Sequence, residues 1–186
     1  RVATEPAHEA DGYARAELMV GSDGLMEGYF GRPDLTAAVL CDGWLRTGDI
    51  ASVDGEGRLR ILDRASYVIN VGGFKVYPGE VEAVLTEHHL VAEAMAIGMP
   101  DAVRGQVVAG LVTLKPGCSG AGGATGAAAE IARYARERMA AHKAPRRVSV
   151  VDELPRNDMG KLDRAKAIEI VREATQGDQG RGHRGG

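Results

Sequence analysis

Residues 67–89 read "YVINVGGFKVYPGEVEAVLTEHH", and the parsing of this stretch decides the fold. Its first part, "YVINVGG", is rich in β-branched residues and stops at a glycine pair, which predicts a strand. From Tyr77 the pattern changes. Pro78 falls in a first helical turn, Glu80 and Glu82 stand where the helix dipole favours anions, and Val81, Val84 or Leu85, and His88 recur on one face. A strand that hands over to a helix so quickly points to a small sheet with helices packed on it.

The pattern continues downstream. "VAEAMAIGM" (91–99) and "GQVVAGLVTLK" (105–115) read as two strands joined by the turn region "PDAVR". "PGCSGAGGATG" (116–126) is a glycine-rich connection. It lacks a following Gly-Lys-Ser/Thr, so it reads as a linker rather than a phosphate loop. "AAAEIARYARERMAAH" (127–142) predicts a helix with Ile131, Tyr134, Ala135 and Met139 along one side, ended by Pro145. "RRVSVVDEL" (146–154) is the last strand. Asp163 is placed to cap a final helix, "RAKAIEIVREA". The remainder is glycine-rich and polar, and residues 174–186 are expected to be a disordered tail.

Upstream, "YARAELMV" (13–20) reads as a strand, "GRPDLTAAVL" (31–40) as a short helix opened by Pro33 and Asp34, and "GWLRTGDIASV" (43–53) as a strand broken at "TGD". "DGEG" is a turn into the strand "RLRILD". The expected organisation is an α+β chain. A short β-rich part spans residues 1–62, a junction 63–66, and a compact domain with a small mixed sheet and packed helices 67–173. The abrupt start, without an initiator Met, raises the expectation that an upstream part is missing.

Composition narrows the function classes. The 186 residues are 44% hydrophobic and 26% charged, with a net charge of -3. That is ordinary for a globular protein and carries no basic excess for a nucleic-acid backbone. No apolar run approaches the ~20 residues of a membrane helix. The two cysteines, Cys41 and Cys118, have neither metal-type spacing nor a disulfide framework, so a reducing, cytoplasmic setting is the default. Among the five histidines, the pair His88-His89 falls at an expected helix end and reads as a capping or surface feature; no metal ligand is assigned.

Three segments, "GWLRTGD" (43–49), "DRASYVINVGGFKVYPGEVE" (63–82) and "ELPRNDMGK" (153–161), follow "GYFGRPDLTAAVL" in order. Together they resemble the C-terminal end of an adenylate-forming acyl-CoA synthetase, in the superfamily that also holds peptide-synthetase adenylation domains and firefly luciferases. "GGFKVYPGEVE" favours the acyl- or aryl-CoA ligase branch. The resemblance implies the family's C-terminal lid domain, preceded by a remnant of the large N-terminal domain. It implies activation of a carboxylic acid with ATP as an acyl-adenylate, then transfer to CoA. It assigns Lys161 to the substrate carboxylate and α-phosphate, Asp49 to the ribose hydroxyls, Arg64 to the nucleotide edge, and Ser66 to the hinge. Gly72 and Gly73 match the loop lining the pantetheine tunnel. Lys75 is left between CoA phosphates and solvent, and Trp44 reads as packing.

The family's phosphate loop, acyl pocket and acidic Mg²⁺ ligand find no match in 1–186. They are expected in the missing N-terminal domain, in cis or in trans, and the chain alone is expected to be incompetent for adenylation. The resemblance places Lys161 on a loose loop that comes and goes with the lid. Two other readings remain: a non-catalytic lid module docking on a partner synthetase or carrier protein, and an adenylation-domain fragment that loads a carrier protein. The Gly-Gly-Phe-Lys turn also raises a nucleic-acid loop of KH type, against which the acidic balance counts.

Overall fold

The computed structural model describes residues 14–118 and 122–181. The chain divides into two compact units, residues 1–66 and 67–186.

In the first unit, β1 (Ala14–Val20), β2 (Leu40–Cys41), β3 (Trp44–Val53) and β4 (Leu59–Arg64) form one antiparallel sheet built around β3, with α1 (Pro33–Val39) before β2. The sequence predicts a break at "TGD", but β3 runs through it. Gly48 takes φ +72°, a conformation open to a residue without Cβ. The β1–β3 register shifts between Glu17 and Met19, so the irregularity is absorbed as a bulge. Thr47 seals it: its Oγ1 donates to the Leu18 carbonyl (2.8 Å) and accepts the Asp49 N–H (3.0 Å).

The second unit begins after a 3-10 turn at Ala65–Tyr67. It contains β5 (Ile69–Val71), β6 (Phe74–Val76), α2 (Pro78–Thr86), β7 (Val91–Asp101), β8 (Gly105–Leu114), α3 (Gly123–Arg138), β9 (Arg147–Val150) and α4 (Arg164–Arg181). The strands lie in the order β6-β5-β8-β7, with β9 also on β8. The β8–β9 pairing is parallel and the others antiparallel, so the sheet is mixed, as expected.

Both faces of the β7–β8 hairpin are covered, and strand alternation sorts the residues between them. Ala94, Ala96, Val108 and Val112 join Val81 and Leu85 of α2 and Ile131, Ala132 and Ala135 of α3 in one core cluster. Met95, Ile97, Ala109 and Leu111 join Leu154 and α4's Ala167 and Val171 in a second. This two-sided burial is why both strands are mostly apolar through their middles, residues 94–99 and 107–112, rather than alternating.

Four expectations are corrected. The glycine pair does not lead directly to a helix; it turns the chain into an extra strand, β6. The glycine-rich connection is not all linker, because α3 begins at Gly123, with Gly122 before it at φ +91°. This helix ends at Arg138 rather than near Pro145, because Met139 is extended. Finally, α4 continues through Arg181, so the expected tail at 174–186 is helical over its first part. Residues 182–186 lie outside the described residues.

Candidate functional site

The structure brings Asp49 and Arg64 together. They face each other across β3 and β4, and Arg64 Nη1 donates to Asp49 Oδ1 at 3.0 Å. The same nitrogen donates to the Thr47 carbonyl at 3.2 Å. The Thr47 hydroxyl and the Gly48 bulge therefore fix the Asp49 backbone, and one Arg64 nitrogen holds one oxygen of its carboxylate, whose side chain is 25% exposed. Its second oxygen accepts no hydrogen bond among the described residues. An acceptor-only oxygen at the surface, held rigid from below, suits a pair of vicinal hydroxyls. Sequence reasoning missed Thr47, whose place beside "GD" was the available signal.

Gly72 and Gly73 form the two-residue turn between Val71 and Phe74, with φ +57° and +90°. Positive φ at both positions is the type I′ requirement of a tight hairpin. A Cβ at either would meet nothing within 4 Å, so this backbone also lies open to an approaching group. The Gly72 N–H donates to the Arg104 carbonyl at 2.9 Å, tying the turn to the β7–β8 connection. Lys75 is exposed on β6. Phe74 is 59% exposed and stacks on His142, centroids 4.6 Å apart. Ser66 lies within the 3-10 turn at the boundary between the two units.

Lys161 is exposed, and its ammonium has no hydrogen-bond or ion-pair partner among the described residues. The loop that carries it is not loose, which corrects the sequence expectation. Arg156 and Leu162 form an antiparallel bridge. Asn157 N–H donates to the Lys161 carbonyl and Gly160 N–H to the Asn157 carbonyl, both at 2.8 Å. The lysine side chain is free, and its backbone is fixed. The loop looked loose because its braces are single polar residues: Asn157 closes the turn on its near neighbours, and only Arg156 reaches a distant partner, Glu93.

Position along β7 separates the candidates within this unit. The Lys161 hairpin is tied to Glu93, near the start of β7, by Arg156. The glycine turn is tied to Arg104, just past its end. At ~3.3 Å per residue, these two anchor points are on the order of 30 Å apart.

His88, His89 and Glu130 place their ligand atoms within 4.8 Å of one another. The Leu90 N–H donates to His88 Nδ1 (3.4 Å), which puts the proton of the neutral ring on Nε2, facing Glu130 Oε1 at 3.6 Å. Burial is the main cause lowering the His88 pKa, followed by the charge of His89; Glu130 acts in the opposite direction. This is the geometry of a neutral buried imidazole beside a carboxylate.

Residues 80–161 match the family described as the AMP-binding enzyme C-terminal domain. A long-chain-fatty-acid–CoA ligase of Bacillus subtilis is 40% identical over 157 residues, covering 84% of this chain and 27% of that protein. Among solved structures, the o-succinylbenzoate CoA synthetase of Bacillus subtilis with its acyl-adenylate intermediate aligns with a TM-score of 0.72 and 39% identity, over 86% of this chain and 32% of that one. An amide bond synthetase of Marinactinospora thermotolerans aligns with a TM-score of 0.76 and 35% identity, over 84% and 31%. The chain thus spans less than a third of the length of each of these proteins.

Proposed function

Residues 80–161 belong to the AMP-binding enzyme C-terminal domain family, and from this premise we propose that the chain is the lid portion of an ATP-dependent acyl-CoA ligase. It acts with a body, in cis or in trans, that supplies the acyl pocket, the phosphate loop and the ligand for the Mg²⁺ accompanying ATP. In the first half-reaction a carboxylate oxygen attacks the α-phosphorus, and the bond to pyrophosphate breaks. In the second, the CoA thiolate attacks the acyl carbon, and AMP leaves.

The observation that carries this reading is the unpartnered ammonium of Lys161 at the tip of a braced hairpin. The first half-reaction brings an anionic nucleophile to an anionic phosphate, and an ammonium between them stabilises the charge developing on the phosphoryl oxygens. Asp49 receives the ribose hydroxyls, and the unused N–H groups of Arg64 face the nucleotide edge. Gly72 and Gly73 let the pantetheine arm approach the backbone in the second half-reaction, with Lys75 near the CoA phosphates. Because the anchors of the lysine hairpin and the glycine turn lie at opposite ends of β7, one pose of the lid cannot serve both steps at one reaction centre. Ser66 is the pivot between the poses.

The test is Lys161→Ala in the adenylation-competent protein carrying residues 1–186. The expected result is a loss of about 10²–10³ in acyl-adenylate formation, the usual effect of removing one preorganised stabiliser, with thioester formation from supplied acyl-adenylate largely kept. Equal loss in both steps contradicts the assignment. The similarity to an amide bond synthetase supports a second reading in which the acceptor is an amine. Product analysis with CoA and an amine in competition separates the two.

A further inference from the structure

We infer that Asn157 and Arg156 are the positioning residues of Lys161, holding its backbone to the sheet so that the ammonium is delivered at a fixed height. This inference rests on the role given to Lys161 above.

Asn157 Oδ1 accepts two backbone N–H groups, from Met159 at 3.1 Å and from Lys161 itself at 3.0 Å. Its own N–H donates to the Lys161 carbonyl and its carbonyl accepts the Gly160 N–H, each at 2.8 Å. One side chain and its peptide groups therefore close the whole turn, while Gly160 takes the φ of +76° the turn requires. Arg156 connects this closed turn to the domain. Its Nη1 donates to the Gly160 carbonyl at 3.1 Å and its Nη2 to Glu93 Oε1 at 2.7 Å on β7.

The far end of the hairpin is held as well. Asp163 N–H donates to the Pro155 carbonyl at 2.8 Å, and Arg164 Nη1 donates at 2.7 Å to both Glu82 Oε1 and the Ala96 carbonyl. Lys161 thus lies between two arginine ties to the same strand. A lysine stem has wide rotamer freedom, so the Cα is the only part of the residue the fold can place. A displacement of about 1 Å at that point is enough to cost on the order of 10²-fold in rate. The Arg156–Glu93 ion pair is exposed and contributes little alone, so Asn157 is the stronger brace.

The experiment has two arms. In the 186-residue chain, amide exchange is followed at Met159, Gly160 and Lys161. In the adenylation-competent protein carrying this chain, both half-reactions are measured. Asn157→Ala is expected to raise exchange at Met159 and Lys161 by about tenfold while β7 amides stay protected. It should lower kcat for adenylation by about 10- to 100-fold, with KM for ATP and the thioester step unchanged. Asn157→Thr, whose hydroxyl closes a similar turn, should recover most of the rate, and Arg156→Gln should show a smaller loss of the same kind. Unchanged exchange in Asn157→Ala overturns the brace. Faster exchange with unchanged adenylation, where Lys161→Ala is disabling, overturns the positioning role. If Lys161→Ala leaves adenylation intact, the functional reading fails and the positioning role with it, while exchange still reports on the brace.

Discussion

His88 shows what a single residue contributes where packing and charge disagree. It is 3% exposed, with its edge against the Tyr134 ring, His89 and Glu130 beside it, and Arg133 and Arg138 on the same helix as Glu130. Burial and the neighbouring cations disfavour the imidazolium; only Glu130 favours it, and the pKa is lowered from its ordinary 6.5. A depressed folded value means that the unfolded chain binds the proton first. Stability is therefore full above pH 6.5 and falls as pH drops from there towards the folded value, below which the loss levels off. The expected outcome is a declining urea midpoint for residues 67–186 as pH falls below about 6.5, and a flatter profile in His88→Asn. An unchanged slope in the variant would assign the pH dependence elsewhere.

At the scale of elements, the helices and long strands were legible because their periodicities are local. Val81 and Leu85 stand on the buried face of α2 as their spacing requires, His88 is buried just past its end, and the Asp163 side chain caps α4 at the Lys166 N–H (3.0 Å). What the sequence hid depends on geometry between distant residues. β6 was missed because it is three residues long and its evidence is a turn type, not a period. The pairing of Asp49 with Arg64 follows from strand register, and the tie of Arg156 to Glu93 from folding over the sheet; neither is written in local spacing. The glycine turn gives the corresponding test. Asn-Gly is a favoured type I′ pair, so Gly72→Asn should leave stability within about 0.5 kcal/mol. Gly73→Val puts a β-branched residue at φ +90° and should cost about 1–2 kcal/mol. Urea denaturation measures both. If instead Gly73→Val keeps full stability, the hairpin does not require the turn described.

At the scale of the molecule, the two units are built to different depths. The second owns both core clusters, from Ile69 to Val171, with helices on each face of its sheet. In the first, the buried residues among those described are Ala16, Ala51 and Ser52, all small, while Leu59 and Ile61 of β4 are exposed. Burial of apolar area is the main favourable term in folding, at roughly 25 cal/mol per Å², so three small side chains cannot hold a four-stranded sheet as firmly as two interlocked clusters. Its ion pairs do not make up the difference. Arg46–Glu17, Arg58–Asp54 and Arg64–Asp49 all have arginine side chains more than half exposed, where such pairs add at most about 1 kcal/mol each. The chain should therefore unfold in two steps, with residues 1–66 first. Limited proteolysis is expected to cut within the first unit and leave a resistant product beginning near Tyr67, and β1 and β3 amides should exchange faster than those of β7 and β8. A ligand that occupies Asp49 and Arg64 should delay the first step without moving the second, because binding stabilises only the folded unit that carries the site. A single cooperative transition, with the amides of both sheets exchanging together, would show that the two units share their stability and that the thin core of the first is supported from outside itself.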